Sequence, residues 1–292
     1  QCSWIPHCKN CSVTLTYHKF SRQLKCHYCN YTQDIPSNCQ QCGDQQLVVR
    51  GFGTEKIEEE IGIYFPENTI ARLDLDTAGS KSSYQRILSD FEEQRIDLLV
   101  GTQMVSKGLD FEHVSTVGIL DADQLLNFPD FRAHERSFQL MAQVSGRSGR
   151  KNKRGKVIIQ TRQPDHWVIR DVVNNNYEAF FQREMEDRRN FGYPPHSRLI
   201  DLRLRHKEEE LVHEAAARFA VLLRNRLGQR IHGPHIPLVP RVRNQYYRNI
   251  LVNIPKEEST SAIKQVLKET ILQFHVDRKF APVQVIPDVD PM

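Results

Sequence analysis

Gln143-Val-Ser-Gly-Arg-Ser-Gly-Arg150 sets two arginines three residues apart, each preceded by a glycine. Its companion upstream is Gly101-Thr-Gln-Met-Val-Ser-Lys-Gly-Leu-Asp-Phe111. A guanidinium is always charged and offers a planar fork of donors, which suits the oxygens of a phosphoryl group in transfer. At a three-residue spacing on a helical turn, Arg147 and Arg150 share one face and can converge on one phosphate. Gly146 and Gly149 keep bulk away from it. The competing reading is a solvated basic loop, because Lys151-Asn-Lys-Arg154 follows directly. The Gly101–Phe111 stretch argues against that reading, since each piece follows an apolar run.

Around these two pieces, residues 50–163 alternate between helical and strand-like patterns. Thr54 is expected to cap a helix through Tyr64, with Ile57, Ile61 and Tyr64 on its apolar side. Thr69–Leu75 reads as a strand. Ser80–Glu93 reads as an amphipathic helix carrying Tyr84, Ile87, Leu88 and Phe91. Ile96–Gly101 and Val114–Leu120 are strands, the second ending at Asp121-Ala-Asp123. Arg132–Val144 is a helix and Lys156–Thr161 a last strand. Such alternation predicts a parallel sheet with helices on both faces, binding ligands beyond the carboxyl ends of its strands. No Gly-x-x-x-x-Gly-Lys-Ser/Thr phosphate loop occurs, and no Asp-Glu-x-His strand end to hold Mg²⁺. The two opening stretches, in this order, resemble motifs V and VI of superfamily-2 helicases. That resemblance implies a RecA-like second helicase lobe, with the missing phosphate-binding parts lying upstream in a longer protein.

The chain has 292 residues, 39% of them hydrophobic and 26% charged, with a net charge of +4. No apolar run approaches the roughly 20 residues that span a bilayer, so no membrane partner is expected. The amino-terminal end is polar and cysteine-rich, unlike a signal peptide. All seven cysteines, Cys2, Cys8, Cys11, Cys26, Cys29, Cys39 and Cys42, lie within residues 1–49. Confinement of every thiol to one end of a long chain fits zinc in a reducing compartment better than a secreted disulfide framework. Cys8/Cys11 and Cys26/Cys29 form one closed four-sulfur set, with fourteen residues between the pairs. Cys2, Cys39 and Cys42 form a second, outer set that lacks one ligand. A Cys-x-x-Cys ending at Cys2 would place its partner before Gln1, so the sequence is expected to begin just inside a motif. His7, His18 and His27 are weaker substitutes for the missing ligand.

Beyond Thr161, helical patterns over Asp165–Asn174 and Tyr177–Asn190 read as a linker, residues 164–192. Gly192-Tyr-Pro-Pro195 then marks a boundary. Residues 193–292 follow the order β-α-β-β-α-β: strand Ser197–Arg205, helix Glu208–Leu227, strands Ile231–Val242 and Tyr246–Ile254, helix Glu257–Phe274, strand Pro282–Ile286. This is the ferredoxin-like α+β plan, which hosts many functions and names none. Arg241, Arg243, Tyr246, Tyr247 and Arg248 join its second and third strands. They combine phosphate-binding charge with stacking rings, and a solvated hairpin tip is the plain alternative.

The whole chain resembles the family of primosomal replication-restart helicases (primosomal protein N′). The resemblance rests on the cysteine module set directly before the lobe, on Gly51-Phe-Gly-Thr-Glu-Lys56, Gly101–Gly108, Leu120-Asp-Ala-Asp123, Gln143–Arg150, and on Asp288-Val-Asp-Pro291. It departs from the family in the missing eighth cysteine. It implies an ATP-dependent 3′-to-5′ DNA helicase that uses Mg²⁺ in its full-length form, with this portion alone inactive. It implies forked and single-stranded DNA, single-stranded-DNA-binding protein and other primosome proteins as partners, and a cytoplasmic setting. Carried over by position, Arg147 and Arg150 face the γ-phosphate and Gly108 and Asp110 lie near the ribose or lobe interface. Thr102, Gln103 and Lys107 lie near the DNA strand or the cleft, with the Asp121/Asp123 strand end a weaker candidate; Gln143 couples DNA to nucleotide, and Arg241, Arg243, Tyr247 and Arg248 meet branched DNA. The rival class is a non-catalytic zinc-ribbon protein whose degenerate lobe only holds nucleic acid; another superfamily-2 helicase is a smaller rival.

Overall fold

The computed structural model describes residues 2–18, 21–45, 47, 53–74, 77–102, 113–146 and 155–291. The chain divides into two compact units, one of Arg50–Asp187 and one assembled from Gln1–Val49 and Arg188–Met292.

In the first unit, α1 (Thr54–Tyr64), β4 (Ile70–Leu73), α2 (Lys81–Glu92) and β5 (Leu98–Gly101) make a β-α-β crossover in which β4 and β5 pair in parallel. A second parallel pair joins β6 (Thr116–Ile119) to β7 (Lys156–Ile159), with α3 (Ala122–Leu126) and α4 (Ala133–Ser145) between them in sequence. Ser80 caps α2, its hydroxyl accepting from the Ser83 amide at 3.1 Å. At α1 the expected cap is displaced by one residue. Gly53 holds the cap position, and the Thr54 hydroxyl donates instead to Asp74 Oδ2 at 2.5 Å. The helices expected as a linker, α5 (Trp167–Val173) and α6 (Tyr177–Asn190), are part of this unit's core. Val168, Ile169, Val172 and Phe180 pack with Ala122, Leu126, Phe138 and Met141, and the Phe138 and Phe180 rings stack at 4.2 Å.

The second unit begins with a small antiparallel sheet, β1 (Thr16–His18), β2 (Gln23–Lys25) and β3 (Thr32–Asp34), in that spatial order. Its carboxyl-terminal part contains β8 (Ser197–His206), α7 (Glu209–Leu227), β9 (Ile231–His235), β10 (Arg241–Val242), β11 (Gln245–Pro255), α8 (Thr260–His275) and β12 (Gln284–Val289). The sheet runs β12–β8–β11, with β9 and β10 both pairing with β11, and every pairing is antiparallel. Counting β9 and β10 together as the second strand gives the 4-1-3-2 order of a ferredoxin-like sheet. The single strand expected over Ile231–Val242 is split because Pro237 and Pro240 supply no ladder N–H groups. Ile200, Leu202 and Leu204 of β8 and Ile250, Val252 and Ile254 of β11 point to one face. There they meet Val212, Ala215, Ala216, Phe219, Ala220, Leu223 and Leu227, the apolar stripe of α7. Phe274 of α8 closes this core, its ring 4.9 Å from that of Phe219.

Candidate metal centre and lobe edge

The Cys-x-x-Cys pairs meet because two tight turns hold them. The Cys8 amide donates to Val13 O at 2.9 Å, and the Asn10 amide to Cys8 Sγ at 3.3 Å. In the second turn, the Cys26 amide donates to Tyr31 O at 2.8 Å, and Asn30 adopts φ +61°. The sulfurs of Cys8, Cys11, Cys26 and Cys29 all lie within 4.8 Å of one another. A tetrahedron of thiolates about 2.3 Å from zinc has sulfurs about 3.8 Å apart, a spacing this set is close enough to take up. Cys8, Cys11 and Cys26 are buried, with Leu15 and Leu24 packed beside them. Burial pushes the Cys11 thiol up to about 12, although the Arg243 amide favours its thiolate. Burial acts the same way at Cys29, but the Tyr31 amide and the neighbouring thiols bring it down to about 7. Four thiolates this close need a cation among them to coexist.

Cys2, Cys39 and Cys42 form a second sulfur group, with Cys2 Sγ and Cys39 Sγ 3.3 Å apart. The Cys39–Cys42 turn is closed by the Gly43 amide donating to Cys39 O at 2.9 Å, with Gly43 at φ +77°. This group offers three sulfurs among the described residues, and its Cys2 and Cys42 are exposed.

The basic cluster expected at the β10–β11 turn is placed against the cysteine module. Arg243 and Asn244 are the central turn residues at φ +52° and +58°, the positive pair that a type I′ hairpin requires. The Arg243 amide donates to Cys11 Sγ at 3.3 Å and its Nε to Tyr28 O at 3.2 Å. The Arg241 guanidinium lies 5.8 Å from the Tyr246 ring centroid. Tyr247 is half-buried, and its amide donates to Pro240 O at 2.8 Å. The reading of Arg248 as a DNA contact is corrected. Its side chain is 6% exposed, paired with Glu209 at 3.1 Å and donating to Tyr247 O at 2.8 Å, so no face is left for a phosphate.

At the lobe, Thr102 is exposed just past β5, and Gln143 is exposed on α4. Gln103, Lys107, Gly108, Asp110, Arg147 and Arg150 lie outside the described residues. Asp123, just past the end of β6, accepts from the Thr161 hydroxyl at 2.6 Å and the Arg162 amide at 2.8 Å. Those two bonds, the Thr161 one foremost, hold its carboxyl below the usual range. The Asp-Ala-Asp segment therefore staples the carboxyl end of β6 to the chain leaving β7. A second anchor at a strand end had no sequence reading. Asp74, just past β4, accepts from Thr54 and from the Thr77 amide at 3.0 Å, and lies 3.2 Å from Arg72 Nε. Burial opposes ionisation of Asp74, yet the Thr54 hydroxyl, the Thr77 amide and Arg72 together hold its pKa low. Its one sequence signal was an aspartate near the end of the strand expected over Thr69–Leu75.

Three families match in the order the domains occur. Residues 8–33 match the PriA DNA helicase Cys-rich region, residues 43–152 the helicase conserved C-terminal domain, and residues 189–292 the primosomal protein N C-terminal domain. The replication restart protein PriA of Bacillus subtilis (strain 168) is 38% identical over 94% of this chain and 35% of its own length. Those of Haemophilus influenzae and Treponema pallidum are 33% and 38% identical over all of this chain, covering 40% and 44% of their lengths. The chain matches PriA proteins over their carboxyl-terminal portion. It spans 35%, 40% and 44% of the length of these PriA relatives. Cysteine module, parallel-stranded helicase lobe and PriA C-terminal domain thus account for the mixed α/β fold, and the four-sulfur cluster falls within the matched Cys-rich region.

Proposed function

We propose that this chain is the zinc-binding, second-lobe and carboxyl-terminal part of an ATP-dependent 3′-to-5′ DNA helicase. In this reading the helicase remodels stalled replication forks in the cytoplasm so that replication restarts. The observation that carries the reading is the four-sulfur cluster set directly before a lobe of parallel strands that matches a helicase family. Zinc, when bound, supplies the positive charge that holds the clustered thiolates of the inner set, and Cys2, Cys39 and Cys42 hold a second, weaker ion.

In the full-length protein, ATP and Mg²⁺ would be gripped by the preceding part, with Arg147 and Arg150 reaching the γ-phosphate from this lobe. Gly108 and Asp110 would lie against the nucleotide. Thr102, Gln103, Lys107 and Gln143 would follow the DNA strand, with Arg241, Arg243 and Tyr247 at branched DNA. Single-stranded-DNA-binding protein and other primosome proteins complete the partners.

The test is Arg150→Ala in the full-length protein, with DNA-stimulated ATP hydrolysis read beside DNA binding. A guanidinium that meets charge mainly in the transition state acts on turnover, so hydrolysis should fall by roughly 10³–10⁵ while DNA affinity without nucleotide holds. Arg150→Lys should rescue poorly, since an ammonium lacks the fork. Near-normal hydrolysis in Arg150→Ala would return the stretch to a basic loop. Hydrolysis by the 292-residue chain alone would overturn the division of labour between the two parts.

A further inference from the structure

The two cysteine turns of the inner cluster are contacted by a hairpin that lies more than two hundred residues later in the chain. The Ser12 amide donates to Arg241 O at 2.9 Å, and the Asn244 amide to Asn10 O at 2.8 Å. Asn244 Nδ2 lies 3.3 Å from Asn10 Oδ1. Arg243 Nε reaches Tyr28 O, between Cys26 and Cys29, at 3.2 Å. Val242 packs against the cluster of Cys8, Cys11, Leu15, Leu24 and Cys26. Among these contacts one is aimed at a ligand atom, the Arg243 amide on Cys11 Sγ at 3.3 Å over a sequence separation of 232 residues. The positive φ of both turn residues makes the tight two-residue turn that carries this amide.

A metal-bound thiolate keeps most of its negative charge, and an N–H donor in the outer shell stabilises it and fixes its orientation. A neutral thiol accepts the same bond weakly. The hairpin therefore holds the metal-loaded ribbon more tightly than the empty one. By reciprocity, docking of the hairpin must raise the affinity of the cluster for its metal by the same factor.

We propose that Arg243 is a positioning residue of the four-cysteine centre, and that metal occupancy there and docking of the β10–β11 hairpin on the ribbon are a single coupled equilibrium. The carboxyl-terminal domain then senses the metal state of the ribbon directly. This inference rests on the zinc reading above.

The test uses the whole 292-residue chain with Cys39 and Cys42 changed to serine, so that one metal site is read. Cobalt is the probe, because its sulfur-to-metal charge-transfer band reports the electron density on the ligating thiolates. Val242→Asp puts a carboxylate against the sulfur cluster and should undock the hairpin. It should weaken metal binding roughly 10–100-fold, the usual effect of losing an outer-shell partner, and move the charge-transfer band to lower energy. Arg243→Gly keeps the amide and suits the positive φ, so it should leave the band in place.

In the parent chain, stripping the metal should speed hydrogen exchange at the Arg243 and Asn244 amides and leave those of Leu202 and Leu204 protected. Cobalt bound with the same affinity and the same band in Val242→Asp would overturn the coupling while leaving the zinc reading intact. So would unchanged exchange at Arg243 and Asn244 in the stripped parent chain, which also covers the case in which the Val242 variant fails to fold. No cobalt binding in the parent chain would overturn both.

Discussion

Arg203 on β8 and Asp288 on β12 sit diagonally across the last strand pair, with Nη2 2.6 Å from Oδ2. Asp288 lies directly opposite Asp201 in register, and Arg203 Nε holds Asp201 Oδ2 at 3.0 Å. Like charges facing across strands repel, and one guanidinium between them relieves the conflict. The Asp-Val-Asp-Pro end is thus a strand whose first aspartate shares an arginine with a buried neighbour.

Removing that arginine leaves Asp201, 7% exposed, without its charge partner. Arg203→Gln should cost about 1–3 kcal/mol at neutral pH, the usual penalty for a buried group losing its bond, and clearly less at a pH well below 3.8, where the raised carboxyl is protonated. Urea unfolding at the two pH values, followed by a probe in the carboxyl-terminal sheet, measures the difference.

Asp201 itself gives a pH dependence. Burial raises its pKa above 3.8, with Arg203 opposing and Asp288 adding to the rise. A carboxyl raised in the folded state binds more proton there than when unfolded, so its contribution is largest below 3.8 and is lost as pH climbs through the folded value. Asp201→Asn should flatten this segment of the stability profile. An unchanged slope across it would assign the pH dependence to other groups.

Val168 is fully buried between α5 and α4, beside Met141. Val168→Asp forces an unpaired carboxylate into that core and should melt the unit of residues 50–187 while sparing α7 and α8. Limited proteolysis should then cut between residues 54 and 187 and leave a resistant carboxyl-terminal fragment. A uniformly resistant chain would show that the helices after Thr161 are dispensable to the lobe.

Metal removal should unfold β1, β2 and β3, because structural zinc contributes on the order of 10–16 kcal/mol to small cysteine modules. Cys26→Ala should lose the tightly held ion. Cys39→Ala should lose only a weaker one, since its group offers three sulfurs. Metal analysis beside thiol titration reads both, and a fully metal-free parent chain under reducing conditions would contradict the assignment.

The β-α alternation of the lobe and the ferredoxin-like plan were legible because both depend on periodicity, which local sequence carries. Strand Ser197–His206 and helix Glu209–Leu227 differ from their expected bounds by a residue each. The cysteine sets were legible from spacing alone. What failed was the choice of partner. The pattern at Val168, Ile169 and Val172 predicts a buried face but not what covers it, so a core segment read as a linker. Thr54 read as a cap because its bond to Asp74 spans 20 residues. Arg248 could have been placed correctly, since it shares strand parity with the buried Ile250 and Val252. For the Arg243–Cys11 bond no local pattern exists, because neither end encodes the other.

The hairpin that walls the cysteine cluster is also a matter of timing. During synthesis Cys11 emerges 232 residues before Arg243. At about 5–20 residues per second, the ribbon spends roughly 10–50 s on the ribosome without that wall. In that interval its sulfurs meet metal or oxidant unsheltered, while the lobe is still being made. The backbone bond on Cys11, made last, then favours chains whose cluster holds an ion, and a chain still empty at that point keeps a loosely docked hairpin until metal arrives.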